Sequence, residues 1–181
     1  HGTSAGVAEQ VQMFDDISQE FGASGFRWAE NEAERTTLWR ARHDAYYAGL
    51  AVVPGSRGYV TDVCVPISRL ADCIAETQQD IAECGLFAPI IGHVGDGNFH
   101  STVFFDPDDE AMLNKAREYD KRLVKRALAM GGTCTGEHGI GMGKLKHMRN
   151  EHGDGAIETM QAIKAALDPL NIMNPGKVVD C

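Results

Sequence analysis

The segment Gly92-His93-Val94-Gly95-Asp96-Gly97-Asn98-Phe99-His100 constrains the fold of this chain more than any other. Asp96-Gly97 lies between two apolar, β-prone runs, Ala88 to Val94 and Asn98 to Phe105. Glycine tolerates the positive φ demanded by the tight turns that join antiparallel strands, so Asp-Gly at such a place signals a hairpin. With Asp96-Gly97 as the two loop residues, Gly95 opposes Asn98, Val94 opposes Phe99 and His93 opposes His100. Opposed residues share a face of the sheet, with Cβ atoms about 5 Å apart. Two imidazoles at that separation can hold one cation at about 2.1 Å per bond. Val94 and Phe99 then form an apolar pair on the other face. The ordinary alternative is two histidines meeting by chance on a polar face, but these two occupy the one register that makes them neighbours.

Helix and strand signals alternate around the hairpin. Thr3 or Ser4 caps a helix to about Glu20, with Val7, Val11, Phe14 and Ile17 at helical spacing and Gly22 past its end. Ser24 to Ala29 is a short strand candidate, and a second helix covers about Glu32 to Ala48, stopping at Gly49. Pro54-Gly55 and Gly58 mark a loop, and Tyr59 to Val65 is a strand rich in β-branched and aromatic residues. Pro66 opens a helix that carries Ile67, Leu70, Ile74 and Ile81 as far as Gly85. After the hairpin, Asp106-Pro107 starts a long helix to about Met130, and Thr133 to Glu137 is a short strand entering a Gly-rich turn. Helices over about Lys144 to Asn150 and Gly155 to Leu167 precede an irregular tail, Asp168-Pro169 to Asn174-Pro175-Gly176. A hairpin among alternating elements implies an α+β fold: an antiparallel or mixed sheet with helices packed on one face, plus C-terminal helices.

With 181 residues, 43% of them hydrophobic, one compact domain spanning residues 1–181 is expected. No apolar run approaches the roughly 20 residues of a membrane helix. No targeting signal is visible, so a cytoplasmic location, or one peripheral to an inner membrane, is expected. His1-Gly2, without an initiator Met, reads as the tail of a longer segment. A formal charge of −9 argues against nucleic acid or anionic lipid as a partner. Cys64, Cys73, Cys84, Cys134 and Cys181 contain no C-x-x-C pair and are odd in number. That points to reduced thiols, mostly small core residues, rather than disulfides or a thiolate metal site.

A second segment carries chemistry: Gly136-Glu137-His138-Gly139-Ile140-Gly141-Met142-Gly143. Its glycines allow backbone conformations that other residues avoid and let other groups approach closely. Glu137 and His138 point to opposite faces of an extended chain, so different parts are expected of them. One of the two would complete a ligand set with His93 and His100 while leaving coordination positions open, which suits catalysis more than a closed structural site. A phosphate loop does not fit, because Lys144 lacks the preceding GxxxxG and the following Ser or Thr. Residue types alone leave two alternatives standing: a metal-dependent hydrolase that activates water at the His/His/Glu site, and a non-catalytic metal-binding or assembly domain. Asp96 and Asn98 are explained as turn residues. Thr102 shares the face of His100 and is a candidate for lining a substrate pocket, with cross-strand packing as the alternative. Cys134 reads as core, and His43, His147 and His152 as ordinary helix or surface histidines.

Taken together, these segments resemble a known family. His93 to His100 is similar to the H-x-G-D-G-N-x-H signature of FAD-linked D-2-hydroxyacid dehydrogenases. These comprise the D-lactate dehydrogenase (cytochrome) and glycolate oxidase D-subunit group, within the vanillyl-alcohol-oxidase type of flavoproteins. Gly136 to Gly141 resembles the second signature of that family, and Asp168-Pro169 with Asn174-Pro175-Gly176-Lys177 resembles its C-terminal end. Leu38-Trp39-Arg40-Ala41-Arg42-His43 and Tyr59 to Pro66 look most like the D-lactate branch. One departure is at Val60-Thr61, beside Asp62, where hydroxyglutarate relatives carry a Lys; it counts against a dicarboxylate substrate.

The resemblance implies a ferredoxin-like cap domain on the substrate side of an FAD-dependent dehydrogenase. Such an enzyme oxidises a D-2-hydroxy acid of the D-lactate or glycolate type by hydride transfer to flavin. His93, His100 and Glu137 would be the ligands of a divalent metal, Zn or Mn. His138 would be the catalytic base, Arg42 the partner of the substrate carboxylate, and Asn174 a flavin contact. The FAD-binding domain would lie N-terminal to this region and is not in the chain, so the chain alone is expected not to turn over. The implied partners are the small 2-hydroxy acid, an external electron acceptor (cytochrome, quinone or electron-transfer flavoprotein), and a second copy of the chain in a homodimer.

Overall fold

The sheet is assembled on one strand, β4 (Asn98–Phe105), in a computed structural model that describes residues 2–180. His1 and Cys181 lie outside the described residues. The chain divides into two units, His1–Ala48 and Gly49–Cys181. In the first, helix α1 (Ser4–Glu20) is capped by Thr3, whose hydroxyl accepts the Gly6 N–H at 3.2 Å. Phe14 on α1 packs against Phe26 with ring centroids 5.5 Å apart. Residues 24–29 are not a strand: among the described residues no strand pairs with them, and an isolated strand would leave its backbone groups unbonded. Helix α2 (Glu32–Val52) does not stop at Gly49 but runs through it. The Phe104 ring occupies the space a Cβ would need there, 2.2 Å from its ideal position, so Gly49 serves packing rather than termination.

The second unit holds the sheet. Strands β1 (Arg57–Val60) and β2 (Val63–Cys64) pair antiparallel with β4 in one continuing register, Arg57 opposite Phe105 and Cys64 opposite Asn98. The expected strand from Tyr59 to Val65 is therefore broken at Thr61-Asp62. At the break the Thr61 hydroxyl accepts the Ser101 N–H at 2.9 Å in place of a backbone carbonyl. Strand β3 (Ile90–His93) pairs with the other side of β4.

The hairpin exists, but its register differs from the expected one. His93 opposes Asn98 and Ile91 opposes His100. The loop is four residues long: a 3-10 turn over Val94–Asp96, then Gly97 at φ 77°. Its carbonyl accepts the Val65 N–H at 3.0 Å, and a Cβ on Gly97 would fall 2.0 Å from the Val65 oxygen. Pinning the turn to Val65 favours the longer loop. A two-residue shift is even, so each side chain keeps its face, whereas a one-residue slip would reverse them all. Val94 consequently sits exposed in the turn, and fully buried Phe99 faces Gly92 instead.

Helices α3 (Ile67–Cys84) and α4 (Glu110–Ala129) cover one face of the sheet. Leu70 and Cys73 from α3, with Tyr119, Leu123 and Val124 from α4, bury Val63, Phe99 and Val103. Burying such a side chain contributes about 1.5–3 kcal/mol. Pro66 is the N-cap of α3 rather than its first residue, and α4 starts later than Asp106-Pro107 because Asp109 caps it through the Met112 N–H at 2.9 Å. Instead of one helix over 144–150, a 3-10 turn at Leu145–His147 leads into α5 (Met148–His152), followed by α6 (Asp154–Leu167). The tail is irregular but held: buried Asp168 accepts the Ile172 and Met173 N–H groups at 3.1 and 2.8 Å. The overall class is α+β with an antiparallel sheet.

Asp80 on α3 clamps α4. Its carboxylate accepts from Arg122 Nη2 at 2.7 Å and Arg126 Nη2 at 3.0 Å. Burial alone would raise the Asp80 pKa, but the hydrogen bonds from Arg122 and Arg126 outweigh it and hold the carboxyl below its ordinary value. A depressed folded-state pKa stabilises fully above the unfolded value of about 4 and is lost as pH falls below it. Asp80→Asn is expected to lower stability by about 2 kcal/mol at neutral pH. The gap to wild type should close in acid, which urea unfolding at both pH values checks.

Candidate metal centre

The face of β4 turned away from α3 and α4 carries Asn98, His100 and Thr102. On that face the shared register of β1 and β2 sets Asp62 opposite His100. Asp62 is almost fully buried, 3% exposed, which a lone carboxylate would not tolerate. It is not alone. Its Oδ2 accepts the backbone N–H groups of Gly136, Glu137 and His138 at 2.7, 3.0 and 3.0 Å and the Thr135 hydroxyl at 2.7 Å. Its Oδ1 accepts from Asn98 Nδ2 at 2.8 Å. Consecutive N–H groups converging on one oxygen form an anion nest, here filled by a side chain of the same protein. Burial would raise the Asp62 pKa; the bonds from Thr135, His138, Asn98 and Gly136 more than reverse that and hold it well below the carboxylate range.

The nest explains the shape of the loop. Residues 133–137 do not form the expected strand; only a single bridge, Thr133 to Cys64, survives. Thr135 to His138 wrap around Asp62 instead. A Cβ on Gly136 would lie 1.7 Å from Asn98 Nδ2, so glycine there is a requirement of close approach. The far end of the loop is tied by Lys144, whose ammonium meets Asp120 on α4 at 2.8 Å. Tyr59, pushed up to about 12 by burial and then by Asp120, donates to the same carboxylate at 3.5 Å.

Wrapping brings Glu137 to the two histidines. Glu137 Oε1 lies 3.3 Å from His93 Nε2 and 3.0 Å from His100 Nε2. The three ligand atoms fall within 4.8 Å of one another. Ligand atoms bound at about 2.1 Å to one ion sit about 3.0 Å apart in octahedral and about 3.4 Å apart in tetrahedral geometry. The rings of His93 and His100 lie 5.9 Å apart at 85°, edge to face, with the Nε2 atom of each within 3.3 Å of the same Glu137 oxygen. Two imidazoles and a carboxylate are a donor set that fits Zn or Mn, and the half-exposed Glu137 and His93 leave the site open on one side.

A second grouping, Asp62, His100 and His138, also lies within 4.8 Å. It is the weaker cage. Oδ2 of Asp62 already accepts four hydrogen bonds, and His100 and His138 stack at 4.9 Å and 4°, so their in-plane lone pairs lie in separate, nearly parallel planes. Glu137 and His138 do not diverge as an extended chain would make them: His138 Nε2 is 3.9 Å from Glu137 Oε1. His138 therefore stands beside the cluster, half exposed.

Other candidates fall elsewhere. Thr102 is half-buried two residues along β4 from His100, on the same face. Arg42 is a half-buried residue of α2, in the first unit. Asn174 sits at φ 48° in the C-terminal turn, where its side chain accepts from Lys177 Nζ at 3.4 Å. Among the described residues no hydrogen bond joins it to the histidines. Asn98 is not a turn residue but the first of β4, and it holds Asp62. Buried Cys134, pushed up to about 12 by burial and then by Glu151, stays a protonated thiol of the core, and the four described cysteines are free. Asp62 received no role at the site from the sequence alone, although a charged residue inside a β-prone run was the available signal. Asp62→Asn is expected to destabilise the protein by about 3 kcal/mol and to speed hydrogen exchange at the amides of residues 136–138. Unchanged protection of those amides would rule out the nest.

Comparisons with known proteins bear on this site. A family model described as FAD linked oxidases, C-terminal domain, matches residues 1–178. "Probable D-lactate dehydrogenase, mitochondrial" of Danio rerio is 52% identical over 180 residues, 99% of this chain and 36% of the relative. "D-lactate dehydrogenase (cytochrome), mitochondrial" of Arabidopsis thaliana is 42% identical, covering 98% of this chain and 31% of the relative. "Glycolate oxidase subunit GlcD" of Escherichia coli (strain K12) is 31% identical, covering 97% and 35%. The chain thus spans about a third of the length of these relatives. A solved structure, 4-ethylphenol oxidase from Gulosibacter chungangensis in its isoeugenol complex, superposes with a TM-score of 0.62 at 18% identity. It covers 99% of this chain and 38% of that one, a likeness of fold.

Proposed function

Because this chain belongs to the family of FAD linked oxidases, C-terminal domain, we propose that it forms the substrate- and metal-binding part of a flavoprotein dehydrogenase acting on a small D-2-hydroxy acid. The observation that carries this is the single Glu137 oxygen placed between the Nε2 atoms of His93 and His100. Higher identity to relatives named D-lactate dehydrogenase than to one named glycolate oxidase subunit favours D-lactate as the substrate type. Relatives named for cytochrome suggest a cytochrome as the electron acceptor.

His93, His100 and Glu137 would hold a divalent ion, Zn or Mn. When bound, the ion would supply Lewis-acid polarisation of the substrate hydroxyl, and FAD, bound mainly by sequence outside this chain, would accept the C2 hydride. His138 would take the hydroxyl proton at Nε2, a role suited to an imidazole standing half exposed beside the ligand set. The planar guanidinium fork of Arg42 would pair with the substrate carboxylate, which the point charge of a Lys would not reproduce. Thr102 would line the pocket on the His100 side, and Asn174 would contact the flavin. No described helix is long and apolar enough to cross a membrane.

Two variants of the flavin-containing parent protein separate these roles. His93→Ala is expected to lose bound Zn or Mn by elemental analysis. His138→Ala should keep the metal and slow single-turnover flavin reduction by D-lactate by about 10²–10⁴-fold. Reduction near the wild-type rate in His138→Ala would show that another group is the base.

A further inference from the structure

We infer that Asp62 is a positioning residue for the cation site: it fixes the tautomer of His100 while pinning the loop that presents Glu137 and His138. The inference rests on the proposed His93–His100–Glu137 site for its cation, but not for the tautomer. Every group bonded to Asp62 is a donor: Thr135 Oγ1, three backbone N–H groups and Asn98 Nδ2. Both its oxygens are therefore acceptors, and the group is an ionised carboxylate. Oδ1 faces the buried Nδ1 of His100 at 3.3 Å. That contact is not aligned as a hydrogen bond, and Nδ1 has no other partner among the described residues.

A buried ring nitrogen opposite an acceptor-only carboxylate oxygen is stabilised by carrying a proton, and destabilised as a lone pair. Nε2 also faces a carboxylate, Glu137 Oε1 at 3.0 Å. Glu137, however, is half exposed and can turn to water when no cation lies between them, whereas buried Asp62 cannot. The proton therefore belongs on Nδ1 and the lone pair on Nε2. Carboxylate–histidine–metal arrangements work in this way: the outer group sets which nitrogen is free and how the ring is turned. Asp62 does this for one ligand through Oδ1 and, through Oδ2, fixes the backbone of a second ligand and of the adjacent His138. A purely structural Asp62 would do only the latter.

Imidazole nitrogen NMR of the metal-free intact protein, carrying isotope-labelled histidine, distinguishes the two. The measurement is made near pH 8, above the ordinary histidine pKa of about 6.5, and His100 is assigned with His100→Gln. The expected result is the Nδ1–H tautomer for wild-type His100, lost in Asp62→Asn. Titration with Mn²⁺ should show binding about 10–100-fold weaker in Asp62→Asn. Thr135→Val removes a donor from Oδ2 without touching Oδ1, so it should keep the His100 tautomer even if it lowers stability. An Nε2–H tautomer in wild type overturns the inference, as does an equal tautomer change in Thr135→Val and Asp62→Asn. Should Asp62→Asn fail to fold, the wild-type tautomer alone decides. Wild-type protein that binds no Mn²⁺ sensitive to His93→Ala would instead sink the proposed cation site, and the tautomer would still report on Asp62.

Discussion

One buried carboxylate organises this unit. Taking an ion such as Asp62 out of water costs several kcal/mol unless its lone pairs are filled, and here five donors fill them. Each hydrogen bond to a charged group returns about 1.5–3 kcal/mol, so the charge is tolerated only with the whole set in place. Those donors come from β4 and from the loop at residues 135–138, and Asp62 itself sits where β1 and β2 part. Strand break, central strand and glycine-rich loop are thus held by a single oxygen pair. Removing any one partner leaves the others facing an unmet charge.

That dependence explains which parts of the site were legible in the sequence. The hairpin was readable because Asp-Gly between apolar runs has few other uses. The convergence of His93 and His100 survived an error in register, since a shift of two residues preserves the face of every side chain while converting direct neighbours into diagonal ones. Period-two alternation carries the information about face; the loop length carries the register, and the loop is set by the distant Val65 N–H. Nothing local to residues 92–100 encodes that bond.

Elements whose form depends on long-range partners were the ones misread. Thr133 to Glu137 has strand-like composition, but three of its neighbouring amides are drawn onto Asp62, more than seventy residues earlier in the chain. The loop consequently curls, and Glu137 and His138 arrive on the same side rather than on opposite ones. Residues 24–29 failed for the converse reason, having strand propensity but no strand to pair with. Gly49 looked like a stop because its reason for being glycine, the Phe104 ring, is invisible from 55 residues away. Asp62 itself stood in plain view; a carboxylate within a β-prone run asks what compensates it, and the loop is the answer.

Charge then bears on what the site can hold. Within it the chain supplies two carboxylates, Asp62 and Glu137, and three imidazoles, His93, His100 and His138. With the imidazoles neutral, the formal charge is that of two anions, which would repel a hydroxy-acid anion across a short, partly desolvated gap. A divalent cation would cancel it; a monovalent one would not. Asp62 would contribute its charge from behind His100 without occupying a coordination position, so an ion held by His93, His100 and Glu137 would be neutralised with its outward side left open. A fully ligated cage with both carboxylates on the metal would achieve the same neutrality and leave no room for substrate. Placing one carboxylate beneath the histidine and one beside it is what allows a site to be both electrically balanced and coordinatively open.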